Sequence, residues 1–448
     1  YIVYPLMVIF GLSETEWLQT TTTHVMETTG KNYAKLMQIF SLIPNSMQYE
    51  PNDQIGIPWD LNKIAQLLFF IALSATVVCL ICARTKTKRW WIGGLGLLLS
   101  AVLLTGYFIP VSVPVMDLSA ASETADTTYY DMIHKDCQKD EAADFRVKKY
   151  QLDFSMGLNL TGSAKVYVDR SELKSYRFTL YHGYKVKQVT DQTGAALDFR
   201  REYDYVTVTR GGADVEYLCL EYTGKSPKYY SSYAGVCLPA NFAYYPIPGY
   251  RELFKDSFYG FIDCSLPYDT AFDVRCSGRK QMYCNLAARG NNHFAGNARS
   301  ITLLSGYYDT LKLNDTLVVY PKYADGEIRA RIKKNMGTFT KEHRDIHTIF
   351  IMDADNLTPY EHLRSYDGYV VTNSMIDMEQ SYFESQIDIS KLHFYKMFVY
   401  YYNEKVDREE LEQLKQSEDP EEYPMVQIIL KLSASKNREA AAAETEQY

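Results

Sequence analysis

Chemistry in this chain would have to be assembled from eight histidines, eight cysteines and a surplus of carboxylates. Only His343 and His347 stand four apart, the spacing at which one helical face can hold a metal ion. The string reads H-R-D-I-H, so Arg344 stands where a hydrolytic zinc site needs a glutamate, and a second cation beside a metal repels it. The run Ile346 to Met352, IHTIFIM, is strand-like, which sets the two histidines astride a helix-to-strand boundary. They are expected as a surface pair near Asp345. No G-x-S-x-G elbow occurs, and Ser305 precedes a strand-like tyrosine run. No G-x-x-x-x-G-K-[ST] occurs either, and Gly93-Gly94-Leu95-Gly96 lies in an apolar run, so any ATPase would be a separate chain. Cys79 and Cys82 have the C-x-x-C spacing but sit inside another apolar run, away from the strand-to-helix context of a redox pair.

A second candidate is aromatic. Tyr229, Tyr230, Tyr233, Tyr244, Tyr245 and Tyr250, with Tyr259, crowd one stretch and could line a groove for a peptide or sugar; the competing reading is packing of loops with hydroxyls at water. Cys137, Cys219, Cys237, Cys264, Cys276 and Cys284 leave two states open, disulfides in any of fifteen connectivities or buried free thiols. Asn159, Asn314 and Asn356 begin N-x-T sequons, which matter only in a eukaryotic secretory setting.

The elements that would position these groups differ along the 448 residues. Residues 64–83, IAQLLFFIALSATVVCLICA, are 20 uncharged residues, the length of a membrane-spanning helix. A second uncharged run, Ile92 to Met116, stops being helical at Pro110 and Pro114. Between them Arg84, Lys86, Lys88 and Arg89 form a basic loop followed by Trp90 and Trp91, which marks a cytoplasmic turn with an interfacial aromatic pair. The two runs therefore read as an out-in-out hairpin over 63–116, with residues 13–62 and everything from about 117 onward extracytoplasmic. The apolar start, YIVYPLMVIFGL, reads as the end of a helix cut off upstream, so the chain is expected to be a fragment of a larger membrane protein.

Charge follows the same division. Residues 1–112 hold 7 Lys+Arg against 6 Asp+Glu, net +1; the remaining 40 against 49 give net −9. An acidic exterior argues against nucleic acid as a partner. Residues 117–145 are small, polar and charged, and read as a linker. After them the period becomes two: Tyr150, Leu152, Phe154 and Met156 alternate with polar residues, and AKVYVD, YRFTLYH, YKVKQVT, ALDFRR, YDYVTVTR and VEYLCLEY repeat the pattern between turn signals. Strands so spaced, with no helix between them, predict an antiparallel sandwich over 146–322.

The order Tyr150-x-Leu152-x-Phe154, Gly162-x-Ala164-x-Val166, Phe178-x-Leu180, Asp191-x-x-Gly194-x-x-Leu197, Tyr205-Val206-x-Val208 and Leu218-x-Leu220-x-Tyr222-x-Gly224 resembles the saddle-like N-terminal β-domain of the aminopeptidase N family of zinc peptidases. Tyr244-Tyr245-Pro246 is similar to that family's aromatic-Tyr-Pro segment, and residues 294–321 to its closing strand pair. The resemblance implies a following α-domain with G-x-M-E-N and H-E-x-x-H. Neither string is present; Met352-Asp353-Ala354-Asp355-Asn356 shares with the former only acidity and an Asn. Aminopeptidase-like domains after membrane hairpins also resemble the exterior parts of ABC-type exporter permeases of Gram-positive bacteria.

From residue 323 the pattern alternates short helices and strands, a small mixed α/β region ending in a solvated tail, AAAAETEQY. The expected architecture is thus a membrane α-helical hairpin, an extracytoplasmic all-β sandwich, and an incomplete α/β region over 323–448. The expected function is a non-catalytic membrane module, an exporter permease component with no cofactor, served by a separate ATPase and binding a peptide or cell-envelope ligand. Two alternatives stand beside it: a membrane-anchored zinc aminopeptidase whose catalytic helix lies outside this chain, and a purely structural interaction domain.

Overall fold

The computed structural model of the chain describes residues 61–106, 126, 128–212, 214–226, 228–255, 260–322, 325–352, 363–373 and 378–385. These fall into two compact units, the first within residues 1–312 and 317–330, the second within 313–316 and 331–448. The expectations for residues 1–60, for Pro110 and Pro114 and for the C-terminal tail lie outside the described residues.

Two apolar helices open the first unit, α1 (Leu61–Cys82) and α2 (Lys86–Gly106). Both are long and apolar enough to cross a membrane, with mean hydropathy 2.5 over 64–82 and 1.3 over 86–106. Their packing uses small residues: a Cβ at Gly96 would lie 2.1 Å from Thr76 Oγ1, and one at Gly106 would lie 2.8 Å from the Ala65 Cβ. The outward faces carry Ile81, Leu95, Leu97 and Leu98, all exposed. The basic loop expected between the helices is shorter than its sequence suggested. Lys86, Lys88 and Arg89 belong to the first turns of α2, because Thr85 starts that helix: its carbonyl accepts from Arg89 N at 3.1 Å and its Oγ1 from Lys88 N at 3.4 Å. Arg89 Nε turns back to donate to the Ala83 carbonyl at the end of α1, 2.9 Å away.

Nearly all the rest of the first unit is β-structure. Its strands are β1 (Val147–Met156), β2 (Leu160–Val168), β3 (Ser175–Thr179), β4 (Tyr184–Thr190), β5 (Phe199–Glu202), β6 (Tyr205–Thr209), β7 (Tyr217–Gly224), β8 (Val236–Leu238), β9 (Ile247–Pro248), β10 (Thr270–Ser277), β11 (Tyr283–Cys284), β12 (Ala287–Gly290), β13 (His293–Ala298), β14 (Leu303–Ser305), β15 (Tyr308–Leu313) and β16 (Thr316–Pro321). A seven-stranded sheet runs β12-β13-β10-β1-β2-β7-β4, a four-stranded sheet β5-β6-β3-β9, and a three-stranded sheet β11-β14-β8. The alternation read from sequence holds: Tyr150, Leu152, Phe154 and Met156 all point into the core. The purely antiparallel expectation is corrected at one place, since β1 pairs parallel with β10, Asp153 opposite Arg275. That pairing joins segments far apart in sequence, which local alternation does not encode.

The core between the sheets contains Tyr150, Leu152, Val166 and Leu220 from one side and Tyr176, Phe178, Val206 and Val208 from the other. Tyrosine dominates it, and buried phenols need partners. They find them on loop carbonyls: Tyr150 Oη donates to Pro246 O at 2.8 Å, Tyr222 Oη to Tyr244 O at 2.9 Å, and Tyr244 Oη to Ile301 O at 2.8 Å. The tight turn after β4 is set by Asp191, whose Oδ1 accepts from Thr193 N and Ala195 N while Gly194 supplies a φ of 85°. Of the stretch read as a linker, the described residues 126 and 128–145 pack on the sandwich, with Tyr130 and Phe145 in its core.

Helix α3 (Asp325–Met336) follows β16. The second unit contains α4 (Phe339–Glu342), β17 (Thr348–Ile351), β18 (Leu363–Tyr366), β19 (Tyr369–Thr372) and α5 (Met378–Ser385). β17 runs parallel to β19, and β18 antiparallel to it. The turn at Asn314, between β15 and β16, has φ 55°, and its Nδ2 donates to Thr340 Oγ1 at 2.7 Å.

Candidate functional site

His343 and His347 do not share a helical face. His343 is the residue that ends α4, at φ −99° and ψ 72°, and its ring packs against Phe339 and Tyr382 at 4.5 Å each. His347 is exposed beside β17, its amide donating to Gly368 O. Zinc, which the sequence resemblance implies, has no fit to this pair: one ring is engaged in aromatic packing and the other leaves on a different backbone direction. Among the described residues no group of three or more His, Cys, Asp or Glu side chains is arranged to hold a metal ion. The acidic stretch after Met352 is outside the described residues.

The tyrosine cluster is interior. Tyr229, Tyr230, Tyr244 and Tyr245 are all at most 2% exposed. Tyr229 Oη accepts from Asn241 Nδ2 at 3.2 Å, and Tyr233 offers its carbonyl to the Arg279 guanidinium. Tyr250 is half-buried, its Oη 2.6 Å from Thr207 Oγ1. These rings are walls and struts of the sandwich. None of Tyr229, Tyr230, Tyr233, Tyr244, Tyr245 or Tyr250 lines the cleft that the sandwich does carry, and Tyr259 lies outside the described residues.

That cleft, of about 380 Å³, lies on the open face of the seven-stranded sheet. Its floor is set by register. One row across the strands is Arg275, Asp153, Ser163, Glu221 and Gln188; the next is Ser277, Ser155, Thr161, Thr223 and Lys185. Side chains of directly opposed residues stand roughly 5 Å apart, so the rows make a grid of hydroxyls with two carboxylates and flanking cations. Thr161 Oγ1 and Thr223 Oγ1 are 3.2 Å apart, and Ser163 Oγ is 3.5 Å from Cys219 Sγ. Lys187 reaches the cleft because β4 shifts register between Val186 and Gln188, an irregularity that gives it no direct partner on β7. Among the described residues Asp153, Lys187 and Glu221 have no ion-pair partner; Arg275 has one long contact, 3.9 Å to Asp273. Sequence reading missed this site. Its signal was present as the polar half of each alternating strand, which single-strand reading assigns to solvent.

A second constellation lies inside the sandwich wall. Asp126 Oδ1 accepts from Tyr181 Oη at 2.5 Å, and Asp204 Oδ1 accepts from the His182 amide at 2.6 Å and from Tyr130 Oη at 3.3 Å. The His182 ring sits between them, Nε2 3.8 Å from Asp126 Oδ1 and Nδ1 3.4 Å from Asp204 Oδ1, stacked at 3.6 Å on Tyr129. Asp126 and Asp204 are both 4% exposed. Burial is the largest cause lifting the Asp126 carboxyl, with the Tyr181 hydrogen bond and His182 opposing, to about 6. Burial also pushes the Tyr181 phenol far up.

All eight cysteines lie in described segments, and all are free thiols. Burial raises Cys276 strongly and pushes Cys284 up to about 12.

No protein-family profile matches this chain and no curated protein matches it by sequence. Among solved structures, it is similar to an M1 zinc metallopeptidase mutant from Deinococcus radiodurans bound to a Tyr-Ser-Ala substrate, with 13% identity over 55% of this chain and 65% of that one, at a TM-score of 0.33. It is also similar to native leukotriene A4 hydrolase from Saccharomyces cerevisiae, with 10% identity over 55% and 44%, at a TM-score of 0.36. A two-domain M1 zinc metallopeptidase mutant bound to L-arginine gives 11% identity over 69% and 94%, at 0.34. The chain spans less than two thirds of the length of the first two of these structures. Likenesses this distant assign it to no family.

Proposed function

We propose that this chain is a membrane-held binding module without hydrolytic chemistry of its own, whose sandwich takes an extended peptide along the open face of its large sheet. The observation that carries this reading is the cleft. Its floor offers rows of hydroxyls at strand spacing, which suit the amides and carbonyls of an extended chain, and its unpaired Asp153, Glu221 and Lys187 suit side chains of both signs. Two uncovered apolar helices support the membrane part, since so much exposed aliphatic surface is costly in water. A multi-pass arrangement with the sandwich outside, and service to an ABC-type exporter powered by a separate ATPase, rest on the basic turn at Arg84–Arg89 and on the sequence resemblance.

The test uses the whole chain in detergent micelles. Labelled peptides of mixed charge are titrated against it and against Arg275→Ala and Glu221→Gln. Each substitution is expected to weaken binding about tenfold, the effect of losing one charged contact of about 1.4 kcal/mol. Unchanged affinity in both variants, or no binding at all, sinks the cleft reading. Turnover of an aminoacyl anilide with zinc near one per chain would replace it with the peptidase alternative.

A further inference from the structure

The cluster at Asp126, His182 and Asp204 is not part of the cleft, and its geometry is that of a junction. Asp126, Tyr129, Tyr130 and His134 come from the segment that precedes the first strand; Tyr181 and His182 come from the turn between β3 and β4; Tyr203 and Asp204 come from the turn between β5 and β6. Asp126 follows the end of α2 by 20 residues (126 minus 106). Among the described residues the segment is held by aromatic contacts. Tyr130 stacks on Phe254 at 4.8 Å, His134 packs on Tyr203 at 4.2 Å, and Tyr129 covers the His182 ring. Tyr203 takes the left-handed region at φ 56°, unusual for an aromatic residue, and so presents its ring to the segment while Asp204 turns inward.

The charges in this junction do not balance when all are in their ordinary neutral-pH state. Two carboxylates are buried on either side of one imidazole. Among the described residues the nearby guanidinium, Arg201, gives its hydrogen bonds to the carbonyls of Leu180, Tyr181, Tyr184 and Tyr203 and meets Asp204 through charge alone. The charge of Lys228 also favours the ionised Asp126, as the smallest of the effects on it. Asp126 Oδ2 is buried and has no hydrogen-bond partner, so one face of that carboxylate has left water for nothing. A single added proton on Asp126 repairs this, because it removes the buried charge.

We propose that the Asp126–His182–Asp204 cluster is a proton-operated latch, which holds the segment 126–137 on the sandwich when it carries the extra proton and releases it when it does not. The direction follows from linkage. A carboxyl whose docked value lies above its free value stabilises docking fully below the free value, near 4, and loses that contribution as pH rises through the docked value, about 6. Acid therefore tightens the hold of this segment on the sandwich, and neutrality loosens it. This inference needs neither the membrane reading nor the peptide ligand.

Hydrogen exchange of the full chain in detergent micelles, read by mass spectrometry and normalised to the intrinsic rate at each pH, tests it. Protection of peptides covering 128–137 is expected to fall about 30-fold between pH 4.5 and 7.5, from a shift of roughly two pKa units, while β1 and β2 stay protected. Asp126→Asn, uncharged at every pH, is expected to remove most of that fall. Flat protection in the unaltered chain overturns the proposal whatever the variants do. So does an unchanged pH profile in Asp126→Asn, or parallel loss of protection across the whole sandwich.

Discussion

Replacing Gly162 by alanine tests how tightly the tyrosine core is locked. Gly162 lies on the inner face of β2 directly opposite Tyr222 of β7. A Cβ there would come within 2.6 Å of Tyr222 Cζ and 2.8 Å of its Oη. To restore ordinary contact at 3.4 Å the ring must withdraw by 0.8 Å (3.4 minus 2.6). The ring is fully buried, and its hydroxyl is held 2.9 Å from Tyr244 O. Withdrawal along that line stretches the bond past 3.5 Å, where it no longer counts as one. Overpacking costs about 1–3 kcal/mol and leaving the Tyr244 carbonyl unsatisfied about 1–3 more, so Gly162→Ala is expected to lose about 2–6 kcal/mol. Tyr222→Phe, which removes only the hydrogen bond, should lose about 1–2 kcal/mol. In a Tyr222→Leu background the added methyl has room, and its cost should fall below about 1 kcal/mol, a coupling that a double-mutant cycle reads directly. Urea unfolding in micelles can be followed by tyrosine near-ultraviolet dichroism without interference, because the four tryptophans, Trp17, Trp59, Trp90 and Trp91, all precede the sandwich. Additive losses within about 0.5 kcal/mol would refute the clash as the cause.

Two further outcomes follow from the same geometry. With both thiols pushed well above ordinary values, Cys276 and Cys284 should resist a maleimide at pH 8 in the native chain and react fully after denaturation, as peptide mass spectrometry would show. At the β15–β16 turn, Asn314→Ala loses both the left-handed tolerance and the bonds to Thr340 and Gly337, about 2–3 kcal/mol, whereas Asn314→Gly keeps the backbone and should lose about 1; their order in thermal unfolding checks this.

The legible part of the fold was the local part. Alternation located β1 to β7 because inner and outer residues alternate along most of them, and the turn after β4 could be read from Asp191 and Gly194. The apolar helices were legible from length, though Thr85 starts α2 earlier than the charges suggested. In the aromatic cluster a tyrosine's type does not reveal whether its hydroxyl meets water or a loop carbonyl; Tyr244 meets Ile301 O. The cleft depends on which strands are neighbours, and the junction joins Asp126 to Asp204 across 78 positions (204 minus 126), each looking alone like a solvated turn residue.

The parallel pairing of β1 with β10 also sets a timetable. Lys149 and Ala271, partners in that ladder, are 122 residues apart (271 minus 149), whereas β1 and β2 are joined by three residues. As the chain is made from its N-terminus, β1, β2, β7 and β4 can zip together early, but one edge of β1 must wait, with its amides and carbonyls unpaired, until residue 277 has emerged. At a synthesis rate of about 5–20 residues per second, that interval is on the order of ten seconds. During it the open edge can recruit any stray strand, so the nascent domain has a window of vulnerability that the finished one, with β10 in place, does not.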